Sequence, residues 1–178
     1  MSTNEASARV ILLLASDRVA AGEREDATAA GLEPLLADAG LELSEVLAVP
    51  DERATLAAAL REALTRARFV LTSGGTGLGP RDVTPEATRD VLERELPGFG
   101  EAMRAVSRAK LPTADISRAL AGSVGDGLVV NLPGSPRGAA ECLAAVLPAS
   151  LHALRLLAGQ VRDCADELGL EPPPSTHG

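Results

Sequence analysis

The groups best suited to chemistry lie in one stretch of this sequence, residues 69–86. Three apolar residues that predict a buried strand lead directly into a loop of Gly74, Gly75, Thr76 and Gly77. Glycine lets the backbone turn sharply and approach a ligand closely, because no Cβ atom is in the way. Such a loop can hold phosphate groups with its backbone N–H donors.

The same stretch ends in a helix start that would strengthen an anion site. Thr84 can cap a helix, Pro85 suits its first turn, and Glu86 suits the positive end of the helix dipole. A strand, a glycine loop and a helix N-terminus in this order direct several free N–H groups at one spot. Within the loop, Arg81 could hold a phosphate, and Asp82 could hold a metal ion or a proton.

The loop matches neither of the two common phosphate-binding motifs. The spacing of Gly75, Gly77 and Gly79 differs from Gly-x-Gly-x-x-Gly, and Gly-x-x-x-x-Gly-Lys-Ser/Thr does not occur. An ordinary glycine turn followed by a capped helix therefore stays open as an alternative. The presence of Arg81 and Asp82 beside the glycines favours a binding site.

Polar segments follow other predicted strands in the same way. Ser16 and Asp17 follow the apolar run 10–15, and the stiff Pro/Gly turn 131–136 follows the run 128–130. In open α/β sheets, ligands bind at the carboxyl ends of the strands. We therefore expect these segments to share one crevice with the glycine loop, although 131–136 could also be an ordinary turn.

Two acidic residues have a structural as well as a functional interpretation. Asp51 follows a strand predicted over 43–49 and is well placed to cap the next helix. Asp26 precedes a helix predicted over 27–39, and capping is the simpler interpretation of that residue.

The order of the predicted elements indicates the fold class. Strand, helix, strand, helix and strand alternate up to residue 71, which requires crossover connections and a mostly parallel sheet. The later predicted elements are a helix from residue 87, a helix over 99–109, an antiparallel hairpin of strands 117–122 and 127–131, and a helix over 138–159 interrupted by Pro148.

Composition narrows the classes of function. The 178 residues carry a net charge of −8, no Trp or Tyr and only two Phe, which argues against a nucleic-acid binder. Cys142, Cys164 and two histidines form no zinc-site spacing. No apolar run approaches the length of a membrane span and no signal-peptide pattern is present, so we expect a cytoplasmic protein without a membrane partner.

The domain organisation is predicted to be simple. One domain is expected over residues 8–160, after a short flexible N-terminal arm, 1–7, and before a Pro-rich C-terminal tail, 161–178.

Taken together, these motifs resemble the MogA/MoaB-like family of molybdenum-cofactor biosynthesis, which includes the G domains of gephyrin-type proteins. The resemblance rests mainly on residues 72–77, Thr-Ser-Gly-Gly-Thr-Gly, and 81–87, Arg-Asp-Val-Thr-Pro-Glu-Ala. It extends to the shorter segments 16–18, 49–52, 96–98, 117–118, 131–136 and 141–142, and it spans residues 8–158.

The resemblance implies a fold, an activity and an assembly. Members of that family are three-layer α/β/α domains that form homotrimers. They transfer AMP from Mg-ATP to molybdopterin, release pyrophosphate, and leave an adenylylated pterin for hand-over to a molybdenum-insertion protein. The terminal phosphate of molybdopterin is the nucleophile, so positioning, charge neutralisation and Mg²⁺ are required rather than a nucleophilic side chain.

Carried over residue by residue, the resemblance implies that Asp51 and Asp82 are the essential carboxylates and the Mg²⁺ ligands. The residues implied in substrate binding are Ser16, Asp17, Asp26, Gly74, Gly75, Thr76, Gly77, Arg81, Thr84, Glu86, Ser117, Asn131, Pro133, Gly134 and Ser135. The sequence departs from the family at Arg137, where Lys or a polar residue is common.

Two alternatives to the transferase remain open. One is a non-catalytic molybdopterin-binding or scaffold paralogue, since a fold does not determine a function. The pair Asp51 and Asp82 argues against it, because a simple binder needs no paired carboxylates near phosphate. The other is a different Mg-dependent enzyme, such as a nucleotide pyrophosphatase, and the turn 131–136 argues against that.

Overall fold

A computed structural model describes residues 9–160 of the chain. Six strands form one sheet in the order β2-β1-β3-β6-β5-β4. The strands are β1 Arg9–Ala15, β2 Glu42–Val49, β3 Phe69–Ser73, β4 Arg94–Glu95, β5 Ala121–Val124 and β6 Gly127–Leu132. The predicted arm, 1–7, the predicted tail, 161–178, and Cys164 lie outside the described residues.

Residues 9–160 also form six α-helices and one short 3₁₀ helix, and all of these except the last helix, which follows β6, lie between strands. The helices are α1 Asp17–Ala20, α2 Thr28–Asp38, α3 Arg53–Leu64, α4 Thr84–Arg89, α5 Pro97–Arg108 and α6 Pro136–Leu157, with the 3₁₀ helix at Pro112–Ile116. The strands β2, β1, β3 and β6 pair in parallel, whereas β5 is antiparallel to both β6 and β4.

The two faces of the sheet are covered by different helices. Along β1, Leu12 and the residues two positions before and after it pack with residues of α2, α5 and α6. Leu13 and the residues two positions before and after it pack with α3 and α4 on the other face. Because successive side chains of a strand point to opposite faces, a strand buried on both sides consists of apolar residues throughout. The three-layer α/β/α fold with a mostly parallel sheet is therefore confirmed.

The predicted hairpin is present, but its first strand was placed too early. The segment 117–120 precedes β5, which begins at Ala121 and pairs with β6 through Val129 and Val130. The short strand β4 and the 3₁₀ helix were not predicted, since two to five residues carry too little periodicity to be recognised.

The last helix corrects two expectations. Pro148 does not interrupt it, and α6 runs without a break for 22 residues. By length and composition alone α6 could cross a membrane, contrary to the sequence expectation that no apolar run is long enough. A core helix of a globular fold passes the same test. Leu143 and Val146 of α6 are 0% and 2% exposed within the core that also contains α2 and α5.

Candidate active site

The carboxyl ends of the central strands bring the predicted segments together. Ala15 of β1 lies opposite Val49 of β2, and Ser73 of β3 lies opposite Leu132 of β6. The polar residues that follow each strand therefore start from the same edge of the sheet. The glycine loop and the turn 131–136 touch, because a Cβ atom on Gly134 would lie only 3.1 Å from the Cα atom of Gly74.

Asp17 and Asp51 hold the ends of β1 and β2 together by a reciprocal pair of hydrogen bonds. The Asp51 carboxylate accepts from the backbone N–H of Asp17 at 3.0 Å, and the Asp17 carboxylate accepts from that of Asp51, also at 3.0 Å. The predicted capping role of Asp51 is wrong: the residue that precedes α3 is Glu52, and no side chain caps that helix. Asp51 is instead fixed by Asp17, 34 residues away in sequence.

Arg81 binds the Asp17 carboxylate through two nitrogen atoms of its guanidinium group, Nε and Nη2. The two nitrogen–oxygen distances are 2.9 and 2.8 Å. These hydrogen bonds, followed by the one from the Asp51 backbone, lower the pKa of the Asp17 carboxyl. Asp17 is therefore a firmly ionised anchor that holds Arg81 at the edge of the glycine loop.

Asp51 has the opposite electrostatic character. Burial raises the pKa of its carboxyl, and the nearby charges of Asp17 and Asp82 act in the same direction. Its Oδ1 atom is buried and has no hydrogen-bond partner. A buried carboxylate oxygen without a partner is costly, so it is a strong candidate for contact with a ligand or a cation.

Thr84 lies against the same point of the glycine loop. A Cβ atom placed on Gly75 would clash with Thr84 Oγ1 and would lie 3.2 Å from Asp51 Oδ1. Thr84 Oγ1 is also buried without a partner, and no side chain caps α4, so the predicted capping role of Thr84 is wrong. Two unpaired oxygens thus face the backbone of Gly75, whose φ of 61° is in the left-handed region.

Asp82 turns back onto the loop that precedes it. Its Oδ2 atom accepts a hydrogen bond from the backbone N–H of Gly79 at 2.7 Å. Added Cβ atoms on Gly77 and Gly79 would each lie 2.9 Å from this oxygen, so both glycines leave room for the carboxylate. Asp82 therefore shapes the glycine loop in addition to carrying a charge beside it.

Arg118 is the main loop contact that sequence reasoning missed. Its guanidinium group donates to the carbonyl of Gly77 at 2.7 Å and to that of Asp82 at 2.6 Å, and it pairs with Glu86. Its backbone N–H donates to the carbonyl of Thr76 at 2.9 Å. The Ser117-Arg118 pair belongs to the family pattern, and that was the only sequence signal for this residue.

Three predicted residues have structural partners of their own. Asn131 is buried and donates to Thr72 Oγ1 at 3.0 Å and Thr88 Oγ1 at 2.9 Å. Ser16 Oγ accepts from Val19 N–H and caps α1, and Asp26 Oδ1 accepts from the backbone N–H of Thr28 at the start of α2. The predicted capping role of Asp26 is nevertheless wrong, because the residue that precedes α2 is Ala27 and no side chain caps that helix; Asp26 instead contacts the first helical residue from outside.

A cavity of about 500 Å³ opens beside the glycine loop, between α5, the 3₁₀ helix and the start of α6. Five of the predicted residues line it, namely Thr76, Gly77, Ser117, Pro133 and Ser135. Its floor is apolar and buried, with Met103 and Cys142 each 2% exposed. Ser135 also caps α6, since its hydroxyl accepts from the backbone N–H of Gly138 at 3.2 Å.

The charged residues of the cavity are mostly basic although the whole chain carries −8. Arg104, Lys110 and Arg137 contribute positive charges and Glu141 one negative charge. Glu141 bridges two of them, with Oε1 at 2.8 Å from Lys110 Nζ and 2.9 Å from Arg137 Nε. An anionic ligand with an apolar body matches this lining.

The site therefore has two adjacent halves around one loop. The cavity can bind a medium-sized anionic molecule, and the carboxylates Asp17, Asp51 and Asp82 lie beside the glycines on the loop. Within residues 9–160, no three acidic, His or Cys side chains cluster tightly enough to hold a metal ion by themselves.

Comparisons with known proteins identify the family of the chain and agree with this fold. Residues 11–152 match the family described as "Probable molybdopterin binding domain", and the chain belongs to that family. A molybdopterin adenylyltransferase of Helicobacter pylori strain J99 is 40% identical over 152 residues, covering 83% of this chain and 86% of the relative. The molybdopterin adenylyltransferase of Escherichia coli K12 is 41% identical over 143 residues, covering 78% and 73%.

The fold is also similar to that of a solved structure. The crystal structure of the molybdopterin biosynthesis enzyme MoaB from Thermus thermophilus superposes with a TM-score of 0.79 at 48% identity. The match covers 85% of this chain and 96% of that one.

Proposed function

We propose that this protein transfers AMP from ATP to molybdopterin in the biosynthesis of molybdenum cofactor. The observation that carries the proposal is the Oδ1 atom of Asp51, which is buried and has no hydrogen-bond partner. This oxygen faces Gly75 of the glycine loop, and the two residues that follow Gly75, Thr76 and Gly77, line the cavity. An acceptor in the cavity could thus present a phosphate group to the carboxylates. The names of the relatives support the same reaction.

The reaction needs no nucleophilic side chain. A phosphate oxygen of molybdopterin attacks the α-phosphorus of ATP, a new P–O–P bridge forms, the α–β bond breaks, and pyrophosphate leaves with the electron pair. The protein must align the two phosphates and offset their charge. The glycine-loop N–H groups could supply that charge together with the basic residues of the cavity, whose net charge stays positive although Glu141 pairs with Lys110 and Arg137. Arg81 is paired with Asp17, outside the cavity.

A Mg²⁺ ion fits the donors that are present. Asp51 offers a carboxylate oxygen without a partner, and Asp82 has one oxygen bonded to Gly79 and a second that could face a cation. Mg²⁺ binds through one or two carboxylates together with substrate phosphates, so two aspartates suffice. When bound, it would offset phosphate charge during the transfer.

The main alternative is a scaffold paralogue that binds molybdopterin without reacting it. Incubation of the purified protein with molybdopterin, Mg²⁺ and ATP labelled at the α-phosphate separates the two functions. The transferase produces labelled adenylyl-molybdopterin and one pyrophosphate per product. Tight binding of molybdopterin with no labelled product would favour the scaffold instead.

The assembly, the compartment and the next step of the pathway belong to the same proposal. We infer a cytoplasmic homotrimer that hands its adenylylated product to a molybdenum-insertion protein. A closed trimer would bury apolar surface that a domain of this size leaves exposed.

A further inference from the structure

Arg118 occupies a position between the two halves of the site without lining the cavity itself. We propose that Arg118 is a positioning residue, which holds the segment Gly77–Asp82 in the shape that presents its amides to substrate phosphates. The inference rests on the proposed phosphate chemistry but assigns the control of loop geometry to a residue that touches no substrate.

Arg118 contacts both ends of the loop segment Gly77–Asp82. Its guanidinium group binds the carbonyl of Gly77, at the beginning of the segment, and the carbonyl of Asp82, at its end. Its backbone N–H binds the carbonyl of Thr76. One residue therefore fixes three carbonyl groups around a segment that contains two glycines and would otherwise have many conformations.

The orientation of these carbonyls determines where the amides point. All peptide bonds in the described part of the chain are trans, so a carbonyl and the following N–H point in opposite directions. Because the carbonyls of Gly77 and Asp82 face Arg118, the N–H groups of Leu78 and Val83 face away from it. Arg118 thus turns donor groups of the loop outward, on the side opposite its own charge.

Only an arginine can make this set of contacts. The guanidinium group is planar and carries five donors in a fixed fork, whereas the Lys ammonium is a single point charge. Glu86 binds the third side of the fork and so keeps it in one orientation. Arg118→Lys should therefore keep the charge and lose the geometry.

Arg68 provides a matched control for this substitution. Like Arg118 it donates to two backbone carbonyls, those of Asp126 and Leu154, and pairs with one carboxylate, but it precedes β3 and so lies at the end of that strand opposite the glycine loop. The experiment compares Arg118→Lys and Arg68→Lys for thermal midpoint, affinity for inorganic pyrophosphate and single-turnover AMP transfer. The pyrophosphate reports on the loop amides independently of the reaction.

We expect Arg118→Lys to lower AMP transfer roughly 100-fold, the effect of a displacement of about 1 Å in a reactive geometry. Its affinity for pyrophosphate should fall roughly tenfold, as for one lost hydrogen bond to a charged group. Arg68→Lys should keep both at wild-type values, even where its thermal midpoint falls as far as that of Arg118→Lys. Guanidinium ion at tens of millimolar should restore part of the transfer rate to Arg118→Ala, whereas the same concentration of sodium ion should not.

Two results would overturn the inference. One is wild-type transfer and pyrophosphate binding in Arg118→Lys; the other is an equal loss of both in Arg68→Lys, which would indicate a general loss of stability. If the wild-type protein transfers no AMP at all, the proposed function fails, and pyrophosphate binding alone then decides the role of Arg118.

Discussion

At the scale of single residues, the site combines two aspartates that are adjacent in space and opposite in character. Arg81 lowers the pKa of Asp17, whereas burial raises the pKa of Asp51. The first is a structural anchor that stays ionised, and the second keeps a carboxylate oxygen free of protein partners. This contrast makes Asp17 the anchor of the strand ends and supports the proposal that Asp51 contacts the ligand.

The raised pKa of Asp51 leads to a pH-dependent prediction. The folded state binds the carboxyl proton of Asp51 more tightly than the unfolded chain does. Protonation of Asp51 therefore stabilises the fold below the ordinary pKa of 3.8, and this stabilisation is lost as pH rises through the raised pKa of the folded state. Asp51→Asn removes the ionisation. Its thermal midpoint should equal that of the wild type below pH 3.8 and exceed it near pH 7.

The same variant should be inactive in transfer. An amide oxygen can still accept from the backbone N–H of Asp17, so the strand ends stay joined. We expect AMP transfer to fall roughly 100-fold or more, as for the loss of one charge-stabilising group. Wild-type turnover by Asp51→Asn would show that the negative charge of Asp51 is not needed for transfer, and an unchanged pH dependence of stability would show that its titration is not linked to folding.

At the scale of elements, the glycine loop depends on close packing against Asp51, Thr84 and Asp82. Gly75→Ala would drive a Cβ atom into Thr84 Oγ1 at a residue with φ of 61°. Steric conflict and left-handed backbone both oppose it, so we expect a loss of stability of about 1–3 kcal/mol and loss of transfer.

Gly98→Ala serves as the control for that substitution. Gly98 lies in the first turn of α5, and nothing lies within 4 Å of an added Cβ atom. Because Ala favours a helix over Gly, this variant should be neutral or more stable by up to about 1 kcal/mol. Chemical denaturation of both variants provides the comparison, and equal stability of the two would contradict the packing described for Gly75.

The elements also show what the sequence could and could not predict. Apolar runs such as 10–15 identify buried strands because a strand covered on both faces has no polar side. The cap assigned to Asp51 was wrong because its carboxylate accepts from the backbone N–H of Asp17, 34 residues away, a contact that no local pattern shows. Arg118 was missed because its loop partners lie 41, 36 and 32 residues away, beyond any local pattern.

At the scale of the whole molecule, the leucines near the end of α6 do not supply the apolar surface available for assembly. Leu154 is 8% exposed and belongs to the core, and Leu151 and Leu157 pack against it. Exposed apolar side chains lie elsewhere, including Val46, 42% exposed on the edge strand β2, and Leu111 and Ile116 at the cavity.

The proposed trimer predicts one sedimenting species of three times the chain mass of 18.2 kDa. An exposed edge strand and apolar side chains favour association, and rotational symmetry closes it at a defined number of copies. Analytical ultracentrifugation at micromolar concentration is the measurement. A stable monomer under these conditions would contradict the trimer while leaving the proposed reaction unaffected.

We propose that acceptor binding and AMP transfer depend on adjacent but different parts of one loop. Asp82→Asn tests it most directly, because the amide oxygen can still accept from Gly79 N–H while the charge is lost. The measurement pairs a molybdopterin titration with single-turnover transfer from Mg-ATP on the same variant. We expect Asp82→Asn to bind molybdopterin as tightly as the wild type or slightly more tightly, and to transfer AMP roughly 100- to 1,000-fold more slowly. Loss of molybdopterin binding by a folded Asp82→Asn protein would contradict it, since Asp82 would then position the acceptor.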